Sequence, residues 1–308
     1  MRPICLVTEP IDQDALDWLS QRADIVCAQQ GDQAFDAALS NASGLIVRTY
    51  TTVDKMVLDH APNLKVIGRG GVGLDNIDLE ACRDRGIKVV NTPAANRQAV
   101  VEYVTSILGH VLRPLPVSIN TPDDLIAWRD RRTAWTVDRQ MSDRTLGVLG
   151  LGAIGRRVAA VAMAIGMRVI HHDLLEIPPE ACGGSTPVSA DELFSTSDVL
   201  TIHVDGRPSN RGFVGEALLG RLVEGAVLMN TSRGFVVDGP ALARVLRQRP
   251  GIQAVLDVHA VEPIPEGDPL LGLSNAYLLP HLASRTMAAQ RAMSWVVRDV
   301  WEVLGSSC

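Results

Sequence analysis

The chain has 308 residues, 46% of them apolar, 21% charged and only 4% aromatic, with a formal net charge of -6 at pH 7. That length exceeds the usual single-domain size of about 100–200 residues, and the aliphatic-rich, aromatic-poor balance fits an α/β protein better than a β-sandwich. An acidic chain with scattered arginines offers no basic field to a phosphate backbone, so nucleic-acid binding is not expected.

The amino-terminal MRPICLVTEP contains an apolar run too short for a signal-peptide core and passes straight into a strand pattern. Over the next ninety residues, short β-rich runs alternate with helical patterns: ICLVTE with DQDALDWLSQ, DIVCA with QAFDAALS, GLIVRT with VDKMVLDHA, LKVIGRG with NIDLEACRDRG, then IKVVNTP. Alternation at this spacing predicts βαβ units on a parallel sheet. An apolar helix over about Ala99–Leu112 follows, and then the Pro-punctuated RPLPVSINTP and the Trp-bearing DDLIAWRDRRTAW break the pattern. A domain junction is expected near that break.

From RTLGVLGLG the alternation restarts and runs through MRVIHHD, VLTIHV, AVLMNTS and IQAVLDV to AYLLPH. The last segment, RTMAAQRAMSWVVRDVWEVLG, reads as one long amphipathic helix with no strand after it, so it must pack on something already built. The expected layout is a doubly wound first domain of residues 1–97 and 283–308, with residues 98–282 inserted as a second doubly wound domain. The five cysteines, Cys5, Cys27, Cys82, Cys182 and Cys308, show neither CxxC nor metal-ligand spacing, and no stretch reaches the roughly 18 apolar residues of a membrane span. Reduced thiols, no metal, no membrane and a cytoplasmic location are the expectations.

VLGLGAIG places Gly150, Gly152 and Gly155 in GxGxxG spacing where a strand gives way to a helix, with Ala153 and Ile154 between the last two glycines. Such a turn admits a pyrophosphate at a helix amino terminus. Asp173 stands eighteen residues past Gly155, at the end of the next strand, where a carboxylate can take an adenosine ribose. No arginine follows at once in HHDLLE, so NAD is expected over NADP. A second glycine run, GRGGVG from Gly68 to Gly73, reads as another strand-to-helix turn, but its matching position is Asn91. It is either a structural turn or a nest of amides for a small anion.

An NAD enzyme acting on a carbonyl needs a proton donor near the hydride path, most often histidine. His259 in DVHAVEP and His281 in LLPHLAS both follow strands whose carboxyl ends face the cofactor crevice, and spacing does not separate them. His281, at the return into the first domain, has the better position. Glu262 is the acidic neighbour available to an imidazole, and Arg233 in NTSRG follows a strand where its guanidinium could fork onto a carboxylate or carbonyl oxygen.

Taken together, LIVRT, VIGRGGVGLDNIDLEA, VVNTPAANRQAVVE, TLGVLGLGAIG with Asp173, LMNTSRGFVVD, VLDVHAVEP and LLPHLAS resemble the D-isomer-specific 2-hydroxyacid dehydrogenases from Gly44 to the last helix. The GRxGVGxDNIDL block resembles the phosphoglycerate dehydrogenase branch in particular. The resemblance implies a flavodoxin-like substrate domain, an inserted Rossmann NAD domain, and hydride transfer between NAD(H) and C2 of a small 2-hydroxy acid such as phosphoglycerate, glycerate or glyoxylate. It further implies Arg233 as substrate clamp, His281 as acid/base and Glu262 as the partner that favours its protonated form. Asp257 is implied as a ligand of the nicotinamide carboxamide, with His203, Thr231, Ser232 and Ala283 also on the cofactor. For the substrate it implies Arg48 and the Gly71 and Val72 backbone, which favours the anion nest. His259 occupies a position where the family commonly has an aromatic residue, so packing or cofactor lining is its implied job. Arg207 replaces a small hydroxyl residue and Tyr50 is bulkier than its family counterpart, so no single acid is implied. The DDLIAWRDRRTAW segment resembles the family's dimer arm and implies a homodimer. The rival from another class is an NAD-sensing corepressor or scaffold of the same fold without physiological turnover.

Overall fold

The computed structural model describes residues 2–114 and 121–305. Part of the Pro-punctuated RPLPVSINTP segment and Cys308 lie outside the described residues. In chain order the elements are β1 (Ile4–Val7), α1 (Gln13–Ser20), β2 (Asp24–Cys27), α2 (Gln33–Leu39), β3 (Gly44–Val47), α3 (Lys55–Asp59), β4 (Val66–Arg69), α4 (Leu79–Asp84), β5 (Lys88–Asn91) and α5 (Arg97–Leu112). There follow α6 (Leu125–Ala134), β6 (Thr145–Leu149), α7 (Gly155–Ala164), β7 (Arg168–His172), the two-residue β8 (Thr186–Pro187), α8 (Ala190–Thr196), β9 (Val199–Ile202), α9 (Glu216–Leu219) and β10 (Val227–Asn230). The series closes with α10 (Gly239–Gln248), β11 (Gln253–Leu256), β12 (Ala276–Leu278), α11 (Met287–Ser294) and α12 (Val296–Gly305).

The chain divides into two compact units, one reaching from the amino-terminal residues to Ala99 and resuming at Ser284, the other continuous from Val100 to Ala283. In the first unit five parallel strands lie in the order β2-β1-β3-β4-β5. This is the flavodoxin-like winding. Strand β3, GLIV, is buried at all four positions, as a parallel strand covered on both faces must be. On one face Leu6, Leu45, Val47 and Ile67 pack with Phe35, Leu39, Leu58 and Cys82 from the helices. On the other, Cys5, Val7, Ile46 and Val66 meet Leu19 of α1 and Val296, Val297, Val300 and Leu304 of α12. Gly68 lets α12 come this close, since a Cβ there would stand 2.3 Å from Val300 Cγ2.

Two expectations about this unit are corrected. The final segment is not one helix: it breaks at Trp295, whose N–H turns back to the Ala292 and Met293 carbonyls. Just before the break the Ser294 hydroxyl donates to the Gln290 carbonyl and accepts the Asp12 N–H, a back-bonding pattern that bends helices. Trp295 leaves the helical path to pack edge-on against Trp18, with the Arg298 guanidinium 4.0 Å from its ring centroid. The GRGGVG run, in turn, is no strand-to-helix turn, because α4 begins only at Leu79, where the Asp78 carboxylate caps the Ala81 N–H. Any anion held there would meet loop amides without a helix behind them.

The second unit carries seven parallel strands in the order β12-β11-β10-β9-β6-β7-β8. The chain starts at β6, winds outward to β8, then returns to β9 and winds the other way, which leaves a crevice at the carboxyl ends of β6 and β9. Strands β9 and β10 are buried at every position. The core on one side gathers Leu193, Phe194, Leu200, Ile202, Leu228, Leu242 and Leu246, and the other side gathers Val104, Leu108, Val148, Leu151, Val158, Val169 and Met229. Among the described residues no helix is long and apolar enough to cross a membrane.

Candidate active site

The glycine turn lies at the switch point of the second unit. Gly150 takes φ +92°, and a Cβ on it would sit 2.9 Å from the His203 carbonyl group, so the turn lies directly against the end of β9. A Cβ on Gly155 would stand 2.1 Å from the Gly150 carbonyl oxygen, so α7 starts hard against the turn. Gly152 is different, since a Cβ on it would meet nothing within 4 Å. It opens onto space at the amino end of a ten-residue helix, with Ala153 and Ile154 forming the turn into it. Asp173 accepts the Leu151 N–H at 2.7 Å and the Leu175 N–H at 2.9 Å, so its carboxylate pins the glycine turn as well as standing at the end of β7. Arg207 forks onto Asp205 at 2.7 and 2.6 Å. Thr231 Oγ1, buried after β10, has no hydrogen-bond partner among the described residues. An open glycine face at a helix amino terminus, a carboxylate at the next strand end and an unsatisfied buried hydroxyl together fit a dinucleotide.

His203 stands one residue past β9, and Thr201 Oγ1 lies 3.0 Å from its Nε2. Burial pushes this imidazole down to about 4, which keeps it neutral near pH 7.

Beyond β11 the chain brings together three of the residues singled out in sequence. Glu262 Oε2 lies 2.8 Å from His281 Nδ1, and Glu262 Oε1 accepts the His259 N–H at 2.9 Å. Burial on its own would raise the Glu262 carboxyl, but the His281 hydrogen bond, the His259 amide and the nearby imidazoles hold it below its ordinary value. It is therefore an anion and an acceptor only, so the His281 Nδ1 carries the hydrogen. His281 has φ 55°, and among the described residues it is the one non-glycine in the left-handed region. Such a residue persists only where its surroundings impose it.

Part of that imposition comes from Asp257, whose side chain is fully buried. Its two oxygens accept the Leu282 and Ala283 N–H groups, each at 2.8 Å, directly after His281. Tyr103 of α5 also hydrogen-bonds this carboxylate. Burial lifts Asp257 above its ordinary value despite these donors, and burial with the Asp257 charge pushes the Tyr103 phenol up to about 12. Tyr103 was not anticipated, because it lies on another element far away in sequence and no motif marks it.

Arg233 sits in a turn built by Asn230, whose fully buried amide accepts from Ser232 N and Oγ and donates to the Arg233 carbonyl at 2.9 Å. The Arg233 Nη1 donates to the Ser232 carbonyl at 2.7 Å. Asn230 is a second residue that sequence reasoning passed over, although it stands inside the NTSRG motif.

In the first unit, Arg48 donates to the Pro10 carbonyl and to Gln290 Oε1, and burial lowers its guanidinium from the ordinary arginine value. The amides of Arg48, Thr49, Tyr50 and Thr51 all converge on the Glu9 carboxylate at 2.9–3.1 Å. That nest is thus filled by the chain's own acid, a contact the sequence did not signal. Gly71, at φ +149°, turns its N–H back onto the Arg69 carbonyl, and Val72 is 37% exposed. Of the two amides expected to cradle a carboxylate, the Val72 amide is the one not engaged by main chain among the described residues.

Residues 123–283, more than half of the chain, match the D-isomer specific 2-hydroxyacid dehydrogenase, NAD binding domain. The chain is 31% identical over 297 residues to a D-3-phosphoglycerate dehydrogenase of Archaeoglobus fulgidus, covering 96% of this chain and 56% of that one. It is 32% identical over 312 residues to a glyoxylate reductase of Aeropyrum pernix, covering 97% and 91%. The crystal structure of the Aquifex aeolicus D-lactate dehydrogenase complexed with NAD and lactic acid superposes with a TM-score of 0.83 at 26% identity, covering 98% of this chain and 96% of that one. The chain belongs to the D-isomer specific 2-hydroxyacid dehydrogenase family and carries its NAD-binding domain. It spans about half the length of the curated phosphoglycerate dehydrogenases of Archaeoglobus fulgidus and Methanocaldococcus jannaschii.

Proposed function

We propose that this chain is an NAD-dependent 2-hydroxyacid dehydrogenase, acting on a small 2-hydroxy or 2-oxo acid such as phosphoglycerate, glycerate or glyoxylate. The observation that carries the reading is the Glu262–His281 hydrogen bond of 2.8 Å in a unit that matches the family's NAD-binding domain. Gly150, Gly152, Ala153, Ile154, Gly155 and Asp173 would hold the adenosine and pyrophosphate end, with His203, Thr231, Ser232, Asp257 and Ala283 towards the nicotinamide. When bound, NADH supplies the hydride that C2 of the 2-oxo acid accepts.

The chain's own groups do the rest. With Nδ1 committed to Glu262, His281 offers Nε2 to the substrate oxygen and gives it the proton that an unassisted alkoxide would have to do without. The Glu262 anion stabilises the imidazolium before that transfer and fixes the ring plane. Arg233 presents a planar cation to the substrate carboxylate or carbonyl oxygen. In the first unit, Arg48 and the Gly71–Val72 loop are proposed as carboxylate ligands, with the Val72 amide as the main donor.

A homodimer fits the exposed apolar side chains Leu125, Ile126 and Trp128 on α6, with Trp135 just after it. A cytoplasmic location fits the unpaired Cys5, Cys27, Cys82 and Cys182. The deciding experiment is an NADH-oxidation screen over 2-oxo acids with and without a phosphate group, run beside NADH binding. Turnover on one of them supports the reading. Tight NADH binding with no turnover on any of them overturns it in favour of a sensor or scaffold.

A further inference from the structure

The residue left without a role is His259, and its surroundings differ from those of a side chain that only packs. Strands β11 and β12 run in register as far as Leu256 and Leu278, and the last main-chain bond between them is Leu279 N–H to the Leu256 carbonyl at 2.8 Å. Beyond that point, among the described residues, no ladder holds the Glu262 loop to the segment that carries His281. Side chains take over. The His259 Nε2 lies 2.8 Å from the Leu279 carbonyl oxygen, and since a carbonyl only accepts, this nitrogen carries the hydrogen. The His259 N–H donates to Glu262 Oε1, while the other Glu262 oxygen holds His281.

A third loop meets the same residue. A Cβ built on Gly234, the residue after Arg233, would stand 1.9 Å from the His259 carbonyl carbon and 2.4 Å from the Ala260 nitrogen. The turn that carries Arg233 is therefore seated on the His259–Ala260 peptide. His281 itself is bracketed: the His259 ring holds the chain two residues before it, and Asp257 holds Leu282 and Ala283 after it. This double bracket is what keeps a non-glycine residue at φ 55°.

We propose that His259 is a positioning residue for the Glu262–His281 pair, its amide orienting the carboxylate and its ring holding the Leu279–His281 segment at hydrogen-bonding distance. The inference rests on that pair being the proton-transfer device. A ring of similar size without the Nε2 donor leaves the Leu279 carbonyl unpaired and frees the segment to drift, and misplacement on the order of 1 Å costs about a hundredfold in rate.

The test is the pair H259F and H259Q, each measured for kcat, KM, the pH profile of kcat/KM, NADH affinity and the proton NMR signal of the His281 Nδ1–H. H259F is expected to lower kcat by about 10- to 100-fold with NADH affinity unchanged, to move the pH profile and to lose the Nδ1–H signal. H259Q, whose amide can donate to Leu279, is expected to restore most of kcat and the signal. Wild-type kcat and pH profile in H259F overturn the proposal, and so does an H259Q as impaired as H259F, because ring volume would then be what matters. Should H259F fail to fold, a wild-type-like H259Q supports the donor role and an impaired one overturns it. Activity retained by H281A would instead remove the proton-transfer reading, while the NMR comparison still reports on the tether.

Discussion

Substituting Gly155 and Gly152 by alanine separates packing from cofactor binding within one turn. At Gly155 the new methyl carbon would lie 2.1 Å from the Gly150 carbonyl oxygen, where ordinary contact begins at 3.4 Å, and 3.1 Å from Val148 Cγ1. The nearest obstacle is backbone, so α7 must shift by more than an ångström at its first turn. Overpacking of this kind costs about 1–3 kcal/mol, and at about 2–4 °C per kcal/mol for a unit of this size Tm should fall by roughly 2–12 °C. At Gly152 the same methyl meets nothing within 4 Å, and the backbone there is not left-handed. G152A should stay within about 0.5 kcal/mol of the wild type in a thermal scan. Its NADH dissociation constant should nonetheless rise by about tenfold or more, since the methyl takes the space the pyrophosphate needs. The assay is differential scanning fluorimetry with an NADH fluorescence titration. A G152A that binds NADH as the wild type does would refute the assignment of the open face, and an unchanged Tm in G155A would refute the packing argument.

H281A should lose about 10²- to 10⁴-fold in kcat with NADH affinity intact, measured by steady-state kinetics and fluorescence titration. R233K keeps the charge but not the fork, and kcat/KM for the 2-oxo acid should drop by about tenfold or more. His203 predicts an acid instability: its folded-state pKa of about 4 lies below the ordinary 6.5, so the native state favours the neutral ring. The stabilisation is complete above about pH 6.5 and is lost as the pH falls towards 4, up to about 3 kcal/mol. In denaturant melts across that window wild type should lose up to about 3 kcal/mol relative to H203Q as the pH falls to 4, and parallel curves would contradict the burial. Replacing Leu125 and Ile126 with aspartate should convert a dimer to a monomer in light scattering, and an unchanged mass would remove α6 from the interface.

The alternation of apolar runs and helical patterns made the two parallel sheets legible, because a strand such as GLIV is apolar on both faces and needs cover on both. The glycine turn with Asp173 was legible for the same local reason, its parts lying on consecutive elements. Long-range demands were not. Gly68 reads as part of a glycine-rich strand-to-helix turn until Val300, more than two hundred residues on, is seen to need the space. The break at Trp295 depends on Trp18 and Asp12, which no helical periodicity contains. Tyr103 meets Asp257 only once the sheet has formed. Spacing could not choose between His259 and His281, whereas the family likeness could. It assigned His259 to packing or cofactor lining because the family commonly has an aromatic residue there; the Leu279 carbonyl that its ring engages is main chain and leaves no trace in residue type.

The closing helix of the first unit carries a consequence for synthesis. Cys5, Val7, Ile46 and Val66 present one face of the first sheet, and the residues that cover it, Val296 to Leu304, emerge only after the whole second unit. At about 5–20 residues per second, that face waits on the order of 10–40 s on the ribosome. The second unit, being continuous, can complete its fold first. A chain shortened by α12 should therefore be prone to aggregate through the first sheet while its glycine turn still forms.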